Sequence, residues 1–496
     1  MAEEDLYQAR LAKLEALRSS GIDPWPVRFD RTHVAHELHE AHADLAAGTD
    51  SGTKVRVAGR LLSSRLQGKI AFGDVVDTSG KIQLFVPEAC VESFDSLDVG
   101  DIVGASGEVI RTKRGELSVR TDDVVLLAKA LRSPPDKWHG IQDVEVRYRQ
   151  RYLDLLANPD ALRIARLRPQ IVKSIREFYD GRGFIEVETP TLHPIFGGGY
   201  ARPFITHYNE IDADMFLRIA TELYLKRLVV GGLERVYEVG RVFRNESVSF
   251  KHAPESTMLE SYEAYADYTD VMDQVQSLVR TVAQETIGTT RVTFRGHAFD
   301  LGAEWRRVTM CELVSEATQA MVTIDTSVDE LREVAGRHGL KTEAWWNAGW
   351  LIGELYDKVA EDTIVEPTIV CDYPIEISPL ARKHRDDERL TERFEVVVCA
   401  MELGNAFSEL NDPIDQRSRF EALQLAREHG DAEASPLDEA YLRALEYGLP
   451  PTGGLGVGVD RLTMVIGGAD NIREVILFPA LRPERDEDQP EGLKGE

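Results

Sequence analysis

Two β-rich runs, RVYEVGRVFRNE and TMLESYEAYADY, are joined by a polar loop carrying Lys251 and His252, and together they read as a hairpin. Period-two spacing predicts Arg244 and Glu246 on one face of the first run, and Ser256, Met258, Glu260 and Tyr262 on one face of the second. A charged set facing inward needs partners, because unpaired buried charge is strongly unfavourable. Further on, GLPPTGGLGVGVDRLTMVIGG alternates Gly454, Gly456 and Gly458 with apolar residues and leads into Asp460–Arg461. Glycines there let backbone and ligand approach closely, and Arg461 offers a planar donor for phosphate. The spacing is GxGxG with no βαβ unit after it, which excludes a dinucleotide fingerprint, and no GxxxxGK[ST] loop occurs. Glu395 and Glu402 flank VVVCAM and converge only if the chain turns between them. In LGNAFSEL, Asn405, Phe407 and Glu409 share a face by the same alternation.

The elements that hold these residues follow from texture. The first twenty residues read as an amphipathic helix ending at Gly21 and IDPWP. From about Thr53, KVRVAGRLL, KIAFGDVVD, KIQLFVP, DIVGASGEVIRT and ELSVRTDDVVLL are short β-rich runs between Gly, Ser and Asp turns. Five such strands suit a small barrel: an OB-fold that binds single-stranded oligonucleotides, or a β-barrel of another purpose. SPPDKWHG reads as a linker, and beyond it helices alternate with strands, including a helix IVKSIREFYDGRGF followed by a strand IEVETP ending at Pro190. The expected division is 1–52 N-terminal helix and lead-in, 53–130 barrel, 131–145 linker, 146–483 large α+β domain, and 484–496 a disordered, charged tail.

A net charge of −27 argues at first against a nucleic-acid partner. From Lys54 to Arg132, however, 12 Lys and Arg stand against 11 Asp and Glu, so all the net negative charge lies elsewhere. Cys90, Cys311, Cys371 and Cys399 are isolated and form no CxxC pair, which speaks for reduced structural thiols and against a zinc knuckle. No stretch approaches the roughly 20 apolar residues of a membrane span, and the charged start lacks the core of a secretory signal. A cytoplasmic protein is expected.

In this order and spacing, the helix–strand pair, the RVYEVGRVFRNE hairpin and the GLGVGVDR run resemble the three motifs of class II aminoacyl-tRNA synthetases. RYRQRYLDLL, ARPFITHYNEIDADMFLRIATELYLKRLVVGG and SPLARKHRDDERLTERFE are similar to bacterial lysyl-tRNA synthetases, and the resemblance covers roughly residues 5 to 482. It implies an antiparallel catalytic sheet flanked by helices, an N-terminal OB-fold that binds the anticodon, and a homodimer formed through the first motif. The implied reaction joins L-lysine to the α-phosphate of ATP and then passes the lysyl group to lysine tRNA. By the resemblance Arg244 holds the carboxylate and α-phosphate and Arg461 the γ-phosphate, while Glu246, His252 and Gly458 contact ATP. Glu260, Tyr262 and Glu409 surround the substrate ε-ammonium, with Asn405 and Phe407 beside them; Glu222 and the backbone of Gly198 hold the α-amino group. Glu395 and Glu402 match a Mg²⁺-binding pair, and Arg65, Phe72, Gln83 and Glu116 match anticodon-reading positions.

An acidic cage fits a cationic amino acid and rejects neutral isosteres, which would leave buried charge unpaired. Three residues depart from the family: Ser247 replaces a glycine, Ser256 replaces a phenylalanine that stacks on adenine, and Tyr200 stands in the GGGY turn. Phe250 or Tyr208 could substitute for the missing ring, and Tyr200 would narrow the pocket mouth. Two alternatives follow: a divergent paralogue with altered ATP affinity, or one with a lysine-transferring or regulatory role. Paralogues that lysylate a protein, such as elongation factor P, lack the anticodon barrel that this chain keeps.

Overall fold

The five β-rich runs become β1 (Asp50–Gln67), β2 (Ile70–Val76), β3 (Lys81–Val86), β4 (Ile102–Arg111) and β5 (Leu117–Ala128), closed into a barrel in the order β1-β2-β3-β5-β4. The structure is a computed structural model and describes residues 3–135, 141–428 and 433–482. Alternation decides the barrel's inside: Ala71, Val75, Ile82, Leu84, Val103 and Val119 are buried in one core, while Phe72, Asp74 and Gln83 between them stay partly exposed. β1 begins at Asp50, inside the expected lead-in, because Asp50 already pairs with Ile110 across an irregularity in the ladder.

The chain divides into a unit ending at Gln142 and a second beginning at Asp143. The expected linker, 131–145, spans that division, and residues 136–140 within it lie outside the described part. The tail 484–496 lies outside it as well.

In the second unit, the strand expected over IEVETP shrinks to β6 (Ile185–Glu186), after the helix Pro159–Asp180. A small sheet follows, of β7 (Leu192–His193), β8 (Ile205–Tyr208) and β9 (Ala213–Leu217). The hairpin is β10 (Arg235–Phe243) and β11 (Glu255–Ala264); β12 (Arg291–Phe294) and β13 (His297–Asp300) form a separate ribbon. β14 (Arg306–Thr309), β15 (Thr368–Pro374), β16 (Leu390–Val397), β17 (Glu402–Ser408) and β18 (Thr452–Gly458) complete an eight-stranded sheet in the order β14-β15-β16-β17-β18-β11-β10-β6. Only the outer pairs, β14/β15 and β6/β10, are parallel.

Period two gives the central strands opposite faces. Leu259, Ala406, Leu455 and Val457 turn into a core with Ile171, Leu278 and Leu462 from three covering helices. Each buried Leu or Val contributes roughly 1.5–3 kcal/mol, so that face holds the sheet together. Glu260, Tyr262, Asn405, Phe407, Gly454 and Gly456 lie on the other face and are free of that duty.

Candidate active site

The second face lines a cavity of about 130 Å³. The register sets its order: Met258 lies opposite Gly458, Glu260 opposite Gly456 and Tyr262 opposite Gly454, while Asn405 and Phe407 face Gly456 and Gly454 from the other side. Two glycines are required by position. A Cβ on Gly454 would strike the Glu409 carboxylate and the Tyr262 ring, and Gly198 has a φ of +82° with its Cβ position 3.1 Å from that of Glu222. Gly198 and Glu222 also line the cavity.

One end of the cavity is cationic. Arg244 and Glu246 both line it, but neither sits on a strand as alternation predicted. β10 stops at Phe243, and the Glu246 N–H donates to the Arg244 carbonyl at 2.8 Å in a tight turn, so the loop aims them. The Arg244 Nε donates to the Ile219 carbonyl at 3.4 Å. Arg461 Nη1 donates to the Glu402 carbonyl at 2.6 Å and to its carboxylate at 3.0 Å, and Arg461 Nε donates to the Lys251 carbonyl at 3.3 Å. Burial, then Arg461 and Lys251, pushes the His252 imidazole down to about 4, so the ring is neutral at pH 7. Gly458 ends β18 and starts the helix Val459–Gly467 that presents Arg461.

The opposite end is acidic. Glu260 is 5 % exposed and accepts from the Thr221 N–H at 3.1 Å and the Tyr262 hydroxyl at 3.2 Å. Burial, then Glu222, pushes its acid up to about 7. Glu409 follows β17, its N–H donating to the Thr452 carbonyl at 2.8 Å, and burial pushes its acid far up. Glu222 opens the helix Glu222–Val230. Lys226 on that helix, buried and with no exposed side-chain surface, pairs with Glu222 at 2.5 Å and with Glu409. Asn405 is oriented through its Oδ1, which accepts from Arg393 Nε at 3.0 Å.

Glu395 and Glu402 do approach, because the chain turns at Cys399 and Ala400, both in the left-handed region with φ of 48° and 57°. Burial, then Glu402, raises the Glu395 acid to about 7, although Arg393 pairs with it at 2.6 Å. Burial works to raise Glu402 too, but Arg461 and Arg244 outweigh it and hold that carboxylate low. Among the described residues no group of three or more His, Cys, Asp or Glu could hold a metal alone. Two mutually repelling carboxylates, one of them beside Arg461 and Arg244, fit Mg²⁺, an ion that takes carboxylate, phosphate and water oxygens. Glu395 itself lines a second cavity of about 390 Å³, which shares Gly198, Glu222, Asn405 and Phe407 with the first.

Ser256 lines the cavity, and neither expected substitute ring is among its lining residues. Phe250 is covered by the Arg295 guanidinium at 4.4 Å, and Tyr208 stands 49 % exposed on β8. Tyr200 lines the second cavity. On the barrel, Arg65, Phe72, Gln83 and Glu116 line one groove together with Lys81, Phe85 and Arg120. Phe72 meets Phe85 edge-on at 5.4 Å, and Gln83 accepts from Ser118 at 3.0 Å.

Residues 143–482 match the model described as tRNA synthetases class II (D, K and N), and residues 55–127 match an OB-fold nucleic acid binding domain. The chain belongs to the class II tRNA synthetases. The synthetase is 49 % identical over 490 residues to a lysine–tRNA ligase of Moorella thermoacetica, covering 98 % of this chain and 99 % of that one. It is 48 % identical to that of Bacillus subtilis, with 96 % and 97 % covered, and 49 % identical to that of Roseiflexus castenholzii, with 97 % and 100 % covered.

Several residues that shape the synthetase's site escaped the sequence reading. Arg168 donates to Asp460 at 2.8 Å, and Asp460 also accepts from the Thr257 N–H at 2.7 Å, which fastens the third motif to β11. Arg393, Thr221 and Lys226 were missed as well. Of these only Lys226 left a local trace, its i, i+4 spacing from Glu222 in ELYLK.

Proposed function

We propose that the synthetase is a lysine–tRNA ligase that activates L-lysine with ATP and transfers the lysyl group to the 3′ end of lysine tRNA. The observation that carries this reading is the pairing of a cationic cavity end with an end built from Glu222, Glu260, Glu409 and Tyr262. An anionic or neutral side chain would leave those carboxylates buried and unmatched.

Activation rests on positioning and fixed charge. Arg244 receives the lysine carboxylate and the α-phosphate, and Arg461 the γ-phosphate of a bent ATP. Glu246, neutral His252 and Gly458 line the nucleotide. The rung order favours a division of labour among the acidic groups. Glu260, opposite Gly456, sits one rung nearer the arginines than Tyr262, opposite Gly454, and Glu409 lies beyond both. Two residues along a strand advance roughly 7 Å, comparable with an extended lysine side chain. Gly198, whose Cβ position meets that of Glu222, suits with Glu222 the α-ammonium, and the row of Glu260, Tyr262 and Glu409 the ε-ammonium, the sharing the resemblance implies. Glu395 and Glu402 would hold Mg²⁺, which neutralises phosphate charge when bound. Phe72 supplies a stacking surface for an anticodon base, with Arg65, Gln83 and Glu116 at its edges.

A homodimer belongs to this reading. It is supported by the exposed apolar Ile185, Leu192, Ile195, Ile205 and Ile211 around β6 to β9. So does a cytoplasmic location; no helix among the described residues is long and apolar enough to cross a membrane. Ser256 favours a variant of the reading in which ATP affinity is reduced. Lysine-dependent ATP–pyrophosphate exchange, followed by charging of a lysine tRNA transcript, tests the proposal. Exchange driven by neutral amino acids and not by lysine would overturn it.

A further inference from the structure

The acidic end of the amino-acid pocket already contains a lysine. Lys226 sits one turn after Glu222, so both project from the same side of their helix. Its Nζ lies between the Glu222 and Glu409 carboxylates, 5.2 Å from the Phe407 ring and 6.0 Å from the Tyr262 ring. Glu222, Glu409, Phe407 and Tyr262 all line the cavity, whereas Lys226 does not. The remaining titratable groups around it are Glu260 on β11 and Tyr441 on the helix Glu439–Glu446. The mechanism above uses every carboxylate of this cluster and leaves the ammonium without a part.

We propose that Lys226 is a positioning residue for lysine recognition, a resident counter-cation that bridges and aims Glu222 and Glu409 so that the pocket is charge-balanced only when a second lysine enters. Charge counting carries the argument, and it rests on the lysine–tRNA ligase reading. Ionised around a bound lysine, Glu222, Glu260 and Glu409 bring three negative charges, and Lys226 brings one positive charge. The substrate's α- and ε-ammonium groups bring two positive charges, while its carboxylate goes to Arg244. The filled pocket then sums to zero. Without Lys226 it would hold one buried negative charge in excess, and one carboxyl would have to keep its proton and lose its grip on the substrate. Burial works against the charge on Lys226, but Glu222 and Glu409 outweigh it and hold the ammonium on. For Glu409 burial is opposed first by Lys226 but prevails and holds the acid well above its ordinary value, so the substrate's ammonium supplies the charge that completes its ionisation. An ion pair serving only to knit the helix to β17 would not need to stand on two substrate-facing carboxylates.

The test compares wild type with Lys226→Met, Lys226→Gln and Lys226→Arg in lysine-dependent ATP–pyrophosphate exchange. The two neutral variants should raise the KM for lysine roughly 100-fold at pH 7, as loss of one partner of a buried pair does. The KM for ATP should stay within about twofold. Their lysine kcat/KM should recover as pH rises toward 9, while Lys226→Arg keeps the wild-type pH profile. A KM for lysine and a pH profile unchanged in the neutral variants would overturn the proposal, as would equal losses for lysine and ATP. Should neither neutral variant fold, calorimetry on the wild type decides. Lysine binding at pH 8, in buffers of different ionisation enthalpy, should release no more than the one proton that burial holds on Glu409, and release of two or more would show that Lys226 does not balance the pocket. Wild-type enzyme that fails to exchange with lysine at all refutes the ligase reading instead.

Discussion

Ser256 and Glu260 occupy the same face of β11, two rungs apart, and each fixes one half of the substrate requirement. At Ser256 the cavity has a hydroxyl where a ring would stack on adenine, and base–aromatic stacking contributes about 1–3 kcal/mol. Ser256→Phe is expected to lower the KM for ATP between about 5- and 150-fold in pyrophosphate exchange; an unchanged value refutes the idea that this position limits nucleotide affinity. Glu260 governs pH. Its acid, ordinarily near 4.5, is raised to about 7 by burial and by Glu222, and an incoming ammonium needs the ionised form. Lysine kcat/KM should therefore fall about tenfold per pH unit below pH 7, and Glu260→Gln should flatten that limb. The same shift has an opposite effect on the lysine-free fold. Between pH 4.5 and 7 the folded state retains a proton that the unfolded chain has lost, so this group's contribution to stability declines as pH rises through that window.

At the scale of elements, alternation was a reliable guide only where a strand is long and paired on both sides. β11 and β17 are such strands, and the shared faces of Glu260 with Tyr262 and of Asn405 with Phe407 were legible from spacing alone. β10 ends one residue before Arg244, so the same rule misassigned Arg244 and Glu246 to a strand. IEVETP kept only two strand residues, although Val187 still donates to the Tyr237 carbonyl at 2.9 Å. The Arg168–Asp460 pair joins positions 292 residues apart, and no local pattern announces it. The turn between β16 and β17 makes its own prediction. Cys399 and Ala400 both carry positive φ, a conformation that costs an ordinary residue about 1–2 kcal/mol. Ala400→Gly should raise the melting temperature and leave the Mg²⁺ requirement alone. Ala400→Val should lower it and raise the Mg²⁺ concentration needed for half-maximal exchange, because Glu395 and Glu402 depend on that turn. A glycine variant less stable than the parent would refute the strain argument.

For the whole molecule, one consequence is a division of labour. The groove with Phe72 lies in the first unit and the lysine cavity in the second. Phe72→Ala is expected to raise the KM for tRNA in charging about 5- to 150-fold, by the loss of one base stack. Pyrophosphate exchange, which needs no tRNA, should be unchanged, and a parallel loss there would place Phe72 in the folding of the chain instead of in RNA contact. The exposed Ile185, Ile195, Ile205 and Ile211 around β6 to β9 give the proposed homodimer its own test. Light scattering should give twice the chain mass, and Ile205→Glu should shift the population toward monomer.

The hold of Arg461 on Glu402 has a further meaning for how the proposed site would receive an anion. In the empty site one of its anion-seeking groups is already paired with an internal carboxylate at 3.0 Å. A bare phosphate or sulfate offers Arg461 a like-for-like exchange and leaves Glu402 stranded beside Glu395. A nucleotide that arrives with its own divalent ion satisfies both sides at once. On the proposed reading, the clasp would favour cargo that brings its own counter-ion over an anion that comes alone.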